Sequence, residues 1–233
     1  MVAADHDVVS FGGLRVAVAD GVLAPRPWTL LQSEWAAELS PGCGPGPIVE
    51  LFAGAGHIGL EAARRTGRSA VVVDADVDAC VLARATAHHN HLGEHVEVRC
   101  TPVAEAFEPH DDPALLLADP PYVPSREVDR FDDDPDHAID GGRDGLRFVR
   151  AAIVACHPHL AVGVPLLVQV RGLAQAADVG RWFERHPDLD LEVTEVRAAG
   201  TDRAVALVRH RSAEHGSADG HRRRSAVDQP SIS

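Results

Sequence analysis

A strand, a glycine corner and a helix follow one another directly in this chain, and that succession limits its fold more than any other feature. Pro47-Ile48-Val49-Glu50-Leu51-Phe52 is an apolar run of strand length. Gly54-Ala55-Gly56-His57-Ile58-Gly59 comes next, and Leu60-Glu61-Ala62-Ala63-Arg64-Arg65 opens a helix. Glycines let the backbone turn tightly and let a ligand approach it closely. G-x-G-x-x-G between strand and helix is the setting of a nucleotide-cofactor site. Alone, the pattern fits a dinucleotide, another adenosine-bearing cofactor, or a tight turn with no ligand.

The same alternation continues along the chain. After a lead-in hairpin over Val8 to Ala19, turning at Gly12-Gly13, residues Thr29 to Leu39 have helical spacing, with Leu30, Leu31, Trp35 and Leu39 towards one side. Ser40 to Pro47 is a Pro/Gly hinge. Val71-Val72-Val73-Asp74 is a second strand, followed by a helix from Val77 to His91. Val96 to Val98 and Ala114 to Ala118 are further strands, with a helix from Leu146 to Leu160, a strand from Pro165 to Val170 and a helix from Ala174 to Arg185. Leu189 to Arg197 and Ala204 to Arg209 form a closing antiparallel pair. This pattern predicts an α/β, doubly wound, mostly parallel sheet, with ligands outside the carboxyl ends of its strands.

Asp119-Pro120-Pro121-Tyr122 stands where the Ala114–Ala118 run ends. Proline pins φ and removes backbone donors, so this turn presents carbonyl acceptors in a fixed shape. An ionised Asp119 is an acceptor only. Asp119 and the Pro120 carbonyl could take both N–H bonds of a planar NH2 group while Tyr122 packs on its flat face. The alternative is a plain strand-ending turn.

The surrounding acids separate the possible cofactors. Glu50 precedes the glycine corner, where an anionic pyrophosphate is ill served by negative charge. The sulfonium and ammonium of S-adenosylmethionine tolerate it. Asp74 lies about twenty residues after the first glycine, where an acid accepts ribose hydroxyls. Asp-Pro-Pro-Tyr does not suit a dehydrogenase, so the reading favours S-adenosylmethionine, with Glu50, the glycines of the corner (Gly54, Gly56, Gly59) and Asp74 at its site.

With these motifs in place, the chain resembles the class I S-adenosylmethionine-dependent methyltransferases. Within them it resembles the HemK/PrmC protein-(glutamine-N5) methyltransferases that act on peptide-chain release factors. Four segments carry the likeness: Pro25-Arg26-Pro27-Trp28-Thr29, Val49 to Gly59, Asp119 to Tyr122, and Ala138-Ile139-Asp140-Gly141-Gly142-Arg143-Asp144-Gly145-Leu146. The resemblance implies a seven-stranded Rossmann-like sheet and methyl transfer to a protein glutamine amide. It implies catalytic roles for Asp119, Pro120, Pro121 and Tyr122, and acceptor binding by Asp119, Pro120, Tyr122 and Arg26. It also places Thr29, Phe52, Ala75 and Asp119 beside the cofactor and makes Arg143-Asp144-Gly145 a helix cap and a floor under the Pro-Pro turn. Three departures stand out. Asp119 replaces the family's Asn, Leu30 stands where many members carry Glu, and only some twenty residues precede Pro25, so the family's helical N-terminal domain is expected to be missing.

Several residues carry a second reading. Arg26 could pair with Glu34 or reach the methionyl carboxylate, Thr29 could simply cap the next helix, and Trp28 is expected in the core. His57 is given no catalytic role. Asp132-Asp133-Asp134 lacks the glycine and glutamate of a calcium loop and reads as solvated. His88, His89 and His91 have no ligand partner at metal spacing, so no metal is expected.

At 233 residues with 45% apolar composition, one catalytic domain over 47–210 is expected, after a hairpin and leading helix in 1–46. From His210 the chain turns polar, and 211–233 reads as a disordered tail. A net charge of −13 opposes binding to a nucleic-acid backbone. Four cysteines without a C-x-x-C pair argue for reduced thiols and a cytoplasmic enzyme, and no membrane span or signal peptide is predicted. The rivals are an exocyclic-amine methyltransferase acting on RNA or DNA, a non-catalytic cofactor-binding partner protein, and a dehydrogenase.

Overall fold

The computed structural model describes residues 7–211. The tail expected over 211–233 lies outside the described residues except for Arg211. His210, where the polar stretch begins, instead closes a strand.

Strands β1 (Asp7–Phe11) and β2 (Leu14–Val18) form the antiparallel lead-in hairpin. Gly12, at φ 54°, makes its turn on top of helix α2 (His57–Thr66). A Cβ on Gly12 would stand 2.6 Å from Glu61 Oε1, and one on Gly13 would stand 2.4 Å from Arg64 Cζ. Gly12 is required there by both its φ and the buried Glu61, whereas a side chain at Gly13 would have to displace the Arg64 guanidinium. Glu61 is itself buried and holds Arg64 at 2.8 Å and Arg65 at 2.7 Å.

The central sheet has seven strands: β3 (Ile48–Leu51), β4 (Ala70–Asp74), β5 (Val96–Cys100), β6 (Leu115–Ala118), β7 (Leu166–Val170), β8 (Leu191–Ala198) and β9 (Ala204–His210). Their order is β5-β4-β3-β6-β7-β9-β8. Neighbours from β5 to β7 pair parallel, while β9 runs antiparallel to β7 and β8. The Val- and Leu-rich strands are buried on both sides, as parallel sheets require. Val49, Leu51, Leu116 and Val168 face a core with α5 (Arg147–Leu160) and α6 (Gly172–Arg185). Ile48, Val72, Leu115 and Leu117 face the opposite core with the hairpin, α1 (Leu30–Leu39), α2 and α3 (Val77–His89). A one-turn helix, α4 (Asp136–Ile139), lies in the long connection after β6.

The leading helix departs from its expected pattern. Leu30, Leu31 and Leu39 are only half-buried, and α1 turns Gln32, Ser33, Trp35 and Ala36 inward. The polar pair is buried because each side chain finds a backbone acceptor: Gln32 Nε2 donates to Ala118 O at 3.1 Å and Leu167 O at 2.9 Å, and Ser33 Oγ donates to Ile58 O at 2.8 Å. Gln32 thus ties α1 to the strand end that carries Asp119.

Candidate active site

β3 is flanked by β4 on one side and β6 on the other, so the strand order reverses between β3 and β6. Such a switch point is where an open α/β sheet binds ligands. Leu51 and Ala118 are register partners, and the Asp119 amide donates to Leu51 O at 3.3 Å. The glycine corner and the Asp-Pro-Pro-Tyr turn therefore leave the sheet side by side.

The glycine corner is tight. Phe52, Gly54 and Gly56 have φ of 58°, 53° and 74°. A phenylalanine in the left-handed region is strained, and such strain clusters at ligand sites. Asp74 Oδ2 fixes the corner by accepting from Gly54 N at 2.7 Å, and its Oδ1 accepts from Asp76 N at 2.9 Å. Gly59 lies not in the loop but in the first turn of α2. A Cβ there would meet Glu50 Oε2 at 2.6 Å, and the Gly59 amide donates to that same oxygen at 2.9 Å. The third glycine thus serves close helix–strand packing.

Glu50 is 1% exposed, and its Oε1 has no partner among the described residues. Burial holds its carboxyl well above the usual range. The Gly59 bond works against that shift, and the charges of Asp119 and Asp74 reinforce it. Burial also raises Asp74, against the bonds from Asp76 and Gly54. An orphaned buried acceptor among raised acids suits a cationic ligand. A carboxylate offers about four lone-pair sites, so Asp74 keeps capacity for hydroxyl donors. Ala75 is exposed beside it.

His57 begins α2, buried, edge-on to Phe11 at 4.8 Å. Burial lowers its pKa to about 4, so the ring is neutral. The Thr29 hydroxyl lies 2.8 Å from Arg26 O and 3.3 Å from His57 Nε2. This geometry overturns the capping role for Thr29, whose side chain accepts no bond from the helix.

Asp119, Pro120, Pro121 and Tyr122 line a cleft of about 400 Å³ together with Arg26, Trp28 and Thr29. Among the described residues, nothing bonds to the Asp119 carboxylate or the Pro120 carbonyl. Asp119 keeps some solvent access, yet burial raises its carboxyl to about 7. Burial, and then the Asp119 charge, push the Tyr122 phenol above its usual range. Glu50, Gly54, Gly56, Gly59 and Asp74 do not line this cleft, and lie beside it along the sheet edge. They are joined to it through Thr29, which touches both His57 and the cleft.

The Gly-Gly-Arg-Asp-Gly segment supports the turn from below, as expected. A Cβ on Gly141 would stand 2.7 Å from Gly145 O and 2.8 Å from both Pro121 O and Tyr122 Cα. The Gly141 amide donates to Val123 O at 2.8 Å. Asp144 Oδ1 accepts from Leu146 N at 3.1 Å in a turn just ahead of α5, whose N-cap is Leu146 with no side-chain cap bond, so the expected cap is not formed. Gln175, unnoticed in the sequence, locks these loops together. Its Nε2 donates to Tyr122 O at 3.0 Å and Gly145 O at 3.2 Å, while its Oε1 accepts from Arg171 N at 2.6 Å. The available signal was a glutamine on the stripe of α6 that otherwise buries Gly172, Ala176, Val179 and Phe183.

Three other expectations are corrected. Arg26 pairs with Asp134, because the connection after β6 folds back over it; Glu34 takes Arg65 instead, at 3.3 Å. Trp28 is a cleft wall rather than a core residue, since Arg203 lies over its ring at 3.7 Å. Its Nε1 finds no acceptor in good geometry, although it is near enough to Tyr122 to favour the ionised phenol. Asp132 and Asp133 stay exposed at the cleft rim, but Asp134 leaves the expected solvated run, half-buried against Arg26. Arg171, Asp202 and Arg203 complete the wall; they had no local sequence signature because tertiary packing alone brings them there.

The sheet order, the flanking helices and the paired corners define a Rossmann-like class I methyltransferase fold. The catalytic domain of hMettl16 in complex with a MAT2A 3′UTR hairpin superposes with a TM-score of 0.65 at 15% identity, covering 85% of this chain and 76% of that one. The N-terminal domain of human METTL16 in complex with SAH gives 0.60 at 16% identity, with the same coverage of 85% and 76%. A family described as "Conserved hypothetical protein 95" matches residues 34–131. The release factor glutamine methyltransferase of Bradyrhizobium diazoefficiens is 31% identical over 213 residues, 84% of this chain and 68% of the relative. That of Gloeobacter violaceus is 32% identical over 165 residues, 67% of this chain and 57% of the relative. The chain belongs to the release factor glutamine methyltransferase family. It spans between 52% and 68% of the length of the first relatives it matches.

Proposed function

We propose that this protein transfers a methyl group from S-adenosylmethionine to the side-chain amide of a protein glutamine, the acceptor protein being a peptide-chain release factor. One observation carries the reading: Asp119 and Pro120 line a cleft beside a strained glycine corner, with no hydrogen bond to the Asp119 carboxylate or the Pro120 carbonyl among the described residues. Family membership and the SAH held by the METTL16 domain support the cofactor. In this reading residues 47–210 form the catalytic domain, and 1–46 contribute the Arg26–Trp28–Thr29 wall. Unpaired Cys43, Cys80, Cys100 and Cys156 suit the reducing cytoplasm.

When bound, S-adenosylmethionine supplies the methyl group from its sulfonium, the C–S bond breaking with its electron pair left on sulfur. Glu50 would meet its cationic end and Asp74 its ribose hydroxyls. An amide nitrogen is a poor nucleophile because its lone pair is delocalised into the carbonyl. Asp119 and the Pro120 carbonyl each take one N–H, favour a tetrahedral nitrogen and stabilise the positive charge that develops on it. Holding both reactants in line supplies much of the remaining rate. The nitrogen then sheds one proton, and the Asp119 carboxyl, near 7, is poised to take it.

The second reading, methylation of an exocyclic amine on RNA, rests on Asp119 in place of Asn and on the hairpin bound by the hMettl16 domain. Asp132 and Asp133 at the cleft oppose a phosphate backbone. Incubation with labelled S-adenosylmethionine, a bacterial release factor and total RNA tests both. Label on one glutamine of the factor is expected; label confined to RNA, or no label, would overturn the proposal.

A further inference from the structure

The acceptors described so far account for only half of a primary amide. Its NH2 meets Asp119 and the Pro120 carbonyl, but its carbonyl oxygen has two lone pairs that need donors once the cleft excludes water. Among the described residues four arginines line the cleft, and three have their guanidinium groups committed. Arg26 is bonded to Asp134, Arg171 reaches Glu127 at 2.6 Å, and Arg130 reaches the same carboxylate at 3.1 Å. Arg203 differs. The carboxylate paired with it is that of its sequence neighbour Asp202, at 3.7 Å, beyond hydrogen-bond length.

Arg203 is nevertheless well placed. It stands just before β9, on the turn from β8, and Ala199 N donates to its carbonyl at 2.8 Å. A Cβ on Gly172 would come within 2.7 Å of Thr201 O, so this turn rests closely on the start of α6. The guanidinium carbon lies over the Trp28 ring, 3.7 Å from its centroid, a contact that leaves the N–H donors of an arginine available. Its charge is felt at the Tyr122 phenol. Trp28 Nε1, on the same wall, is turned to the Tyr122 phenol. The cleft therefore has acceptors at the Asp119 turn and uncommitted donors on Arg203.

We propose that Arg203 binds the carbonyl oxygen of the acceptor amide, held in place by its contact with Trp28, so that the cleft reads a primary carboxamide from both ends. This rests on the methylation reading above and narrows its substrate class. A bond to the carbonyl draws the nitrogen lone pair away, so the value of Arg203 lies in selecting and orienting the amide rather than in speeding the chemical step. Arg203 is thus a specificity residue.

The test is steady-state methylation of an intact release factor by wild-type protein, R203M, R203K and Trp28→Phe, with cofactor affinity and Tm measured for each. Loss of a charge-assisted bond predicts a KM for the factor raised roughly tenfold to a hundredfold in R203M. In R203M, kcat should change far less, and S-adenosylhomocysteine should bind as in wild type. Lysine should restore part of the loss, and Trp28→Phe, which keeps an aromatic face, should cost less than R203M. A wild-type KM in R203M would overturn the role of Arg203 and leave the methylation reading intact. If the wild-type protein methylates no protein amide, that reading falls, and the role of Arg203 falls with it.

Discussion

Asp119 sets the pH behaviour of this molecule. Burial raises its carboxyl from the ordinary 3.8 to about 7. The folded protein therefore holds a proton that the unfolded chain releases near 3.8, and stability declines as pH rises from about 4 to about 7. Glu50, also raised, adds a decline of the same sign. Activity should run the other way, because accepting an N–H and then a proton needs the ionised form. The kcat/KM profile, which reports the free enzyme, should rise with pH through about 7. Asp119→Asn should flatten that rise and lift Tm above pH 7, and a profile that still rises in the variant would remove Asp119 from it. Asp119→Ala should abolish transfer while leaving cofactor binding nearly unchanged. Asp74→Ala should act on the cofactor instead, weakening it by roughly tenfold or more, measurable by calorimetry. Part of that loss would come through the freed Gly54 amide. These acids were legible in the sequence because each ends an apolar strand. Their raised pKa values were not, since burial depends on what the rest of the chain stacks above them.

Among the elements, the turn after β6 owes its shape to neighbours far away in sequence. Gln32 holds Ala118 O from α1, and Gln175 holds Tyr122 O from α6. Gln175→Leu would leave Arg171 N, Tyr122 O and Gly145 O without their bonds. Unsatisfied buried groups of this kind cost roughly 1–3 kcal/mol each. We expect a clear fall in Tm and a larger fall in acceptor turnover than in cofactor affinity. Equal losses of both would mean that Gln175 supports the fold generally and not the turn. The sequence patterns located every strand and most helix bounds, because two-sided burial makes strands apolar and helices amphipathic. They misjudged α1, because a polar side chain pointing inward is recognisable only once its backbone acceptors are in place. Thr29 was misread as a cap for a similar reason: its hydroxyl turns back to Arg26 O.

For the molecule as a whole, strand alternation foretold the doubly wound sheet and its closing antiparallel pair. It could not foretell the cleft, which arises where three distant segments converge: Arg26 to Thr29, the connection from Tyr122 to Ile139, and the β8–β9 turn at Asp202 and Arg203. None of the three carries a pattern that says what it will face. Their convergence puts the acceptor cleft beside the glycine corner instead of over it, so the central claim is that cofactor and acceptor meet at the junction marked by Thr29 and Asp119. A crystal structure with S-adenosylhomocysteine tests this most directly. The claim predicts the ribose on Asp74, the adenosyl chain along Gly54 to Gly56, and the thioether sulfur turned towards Asp119 and the cleft. An adenosine lying in the cleft itself, or a sulfur pointing away from Asp119, would contradict it.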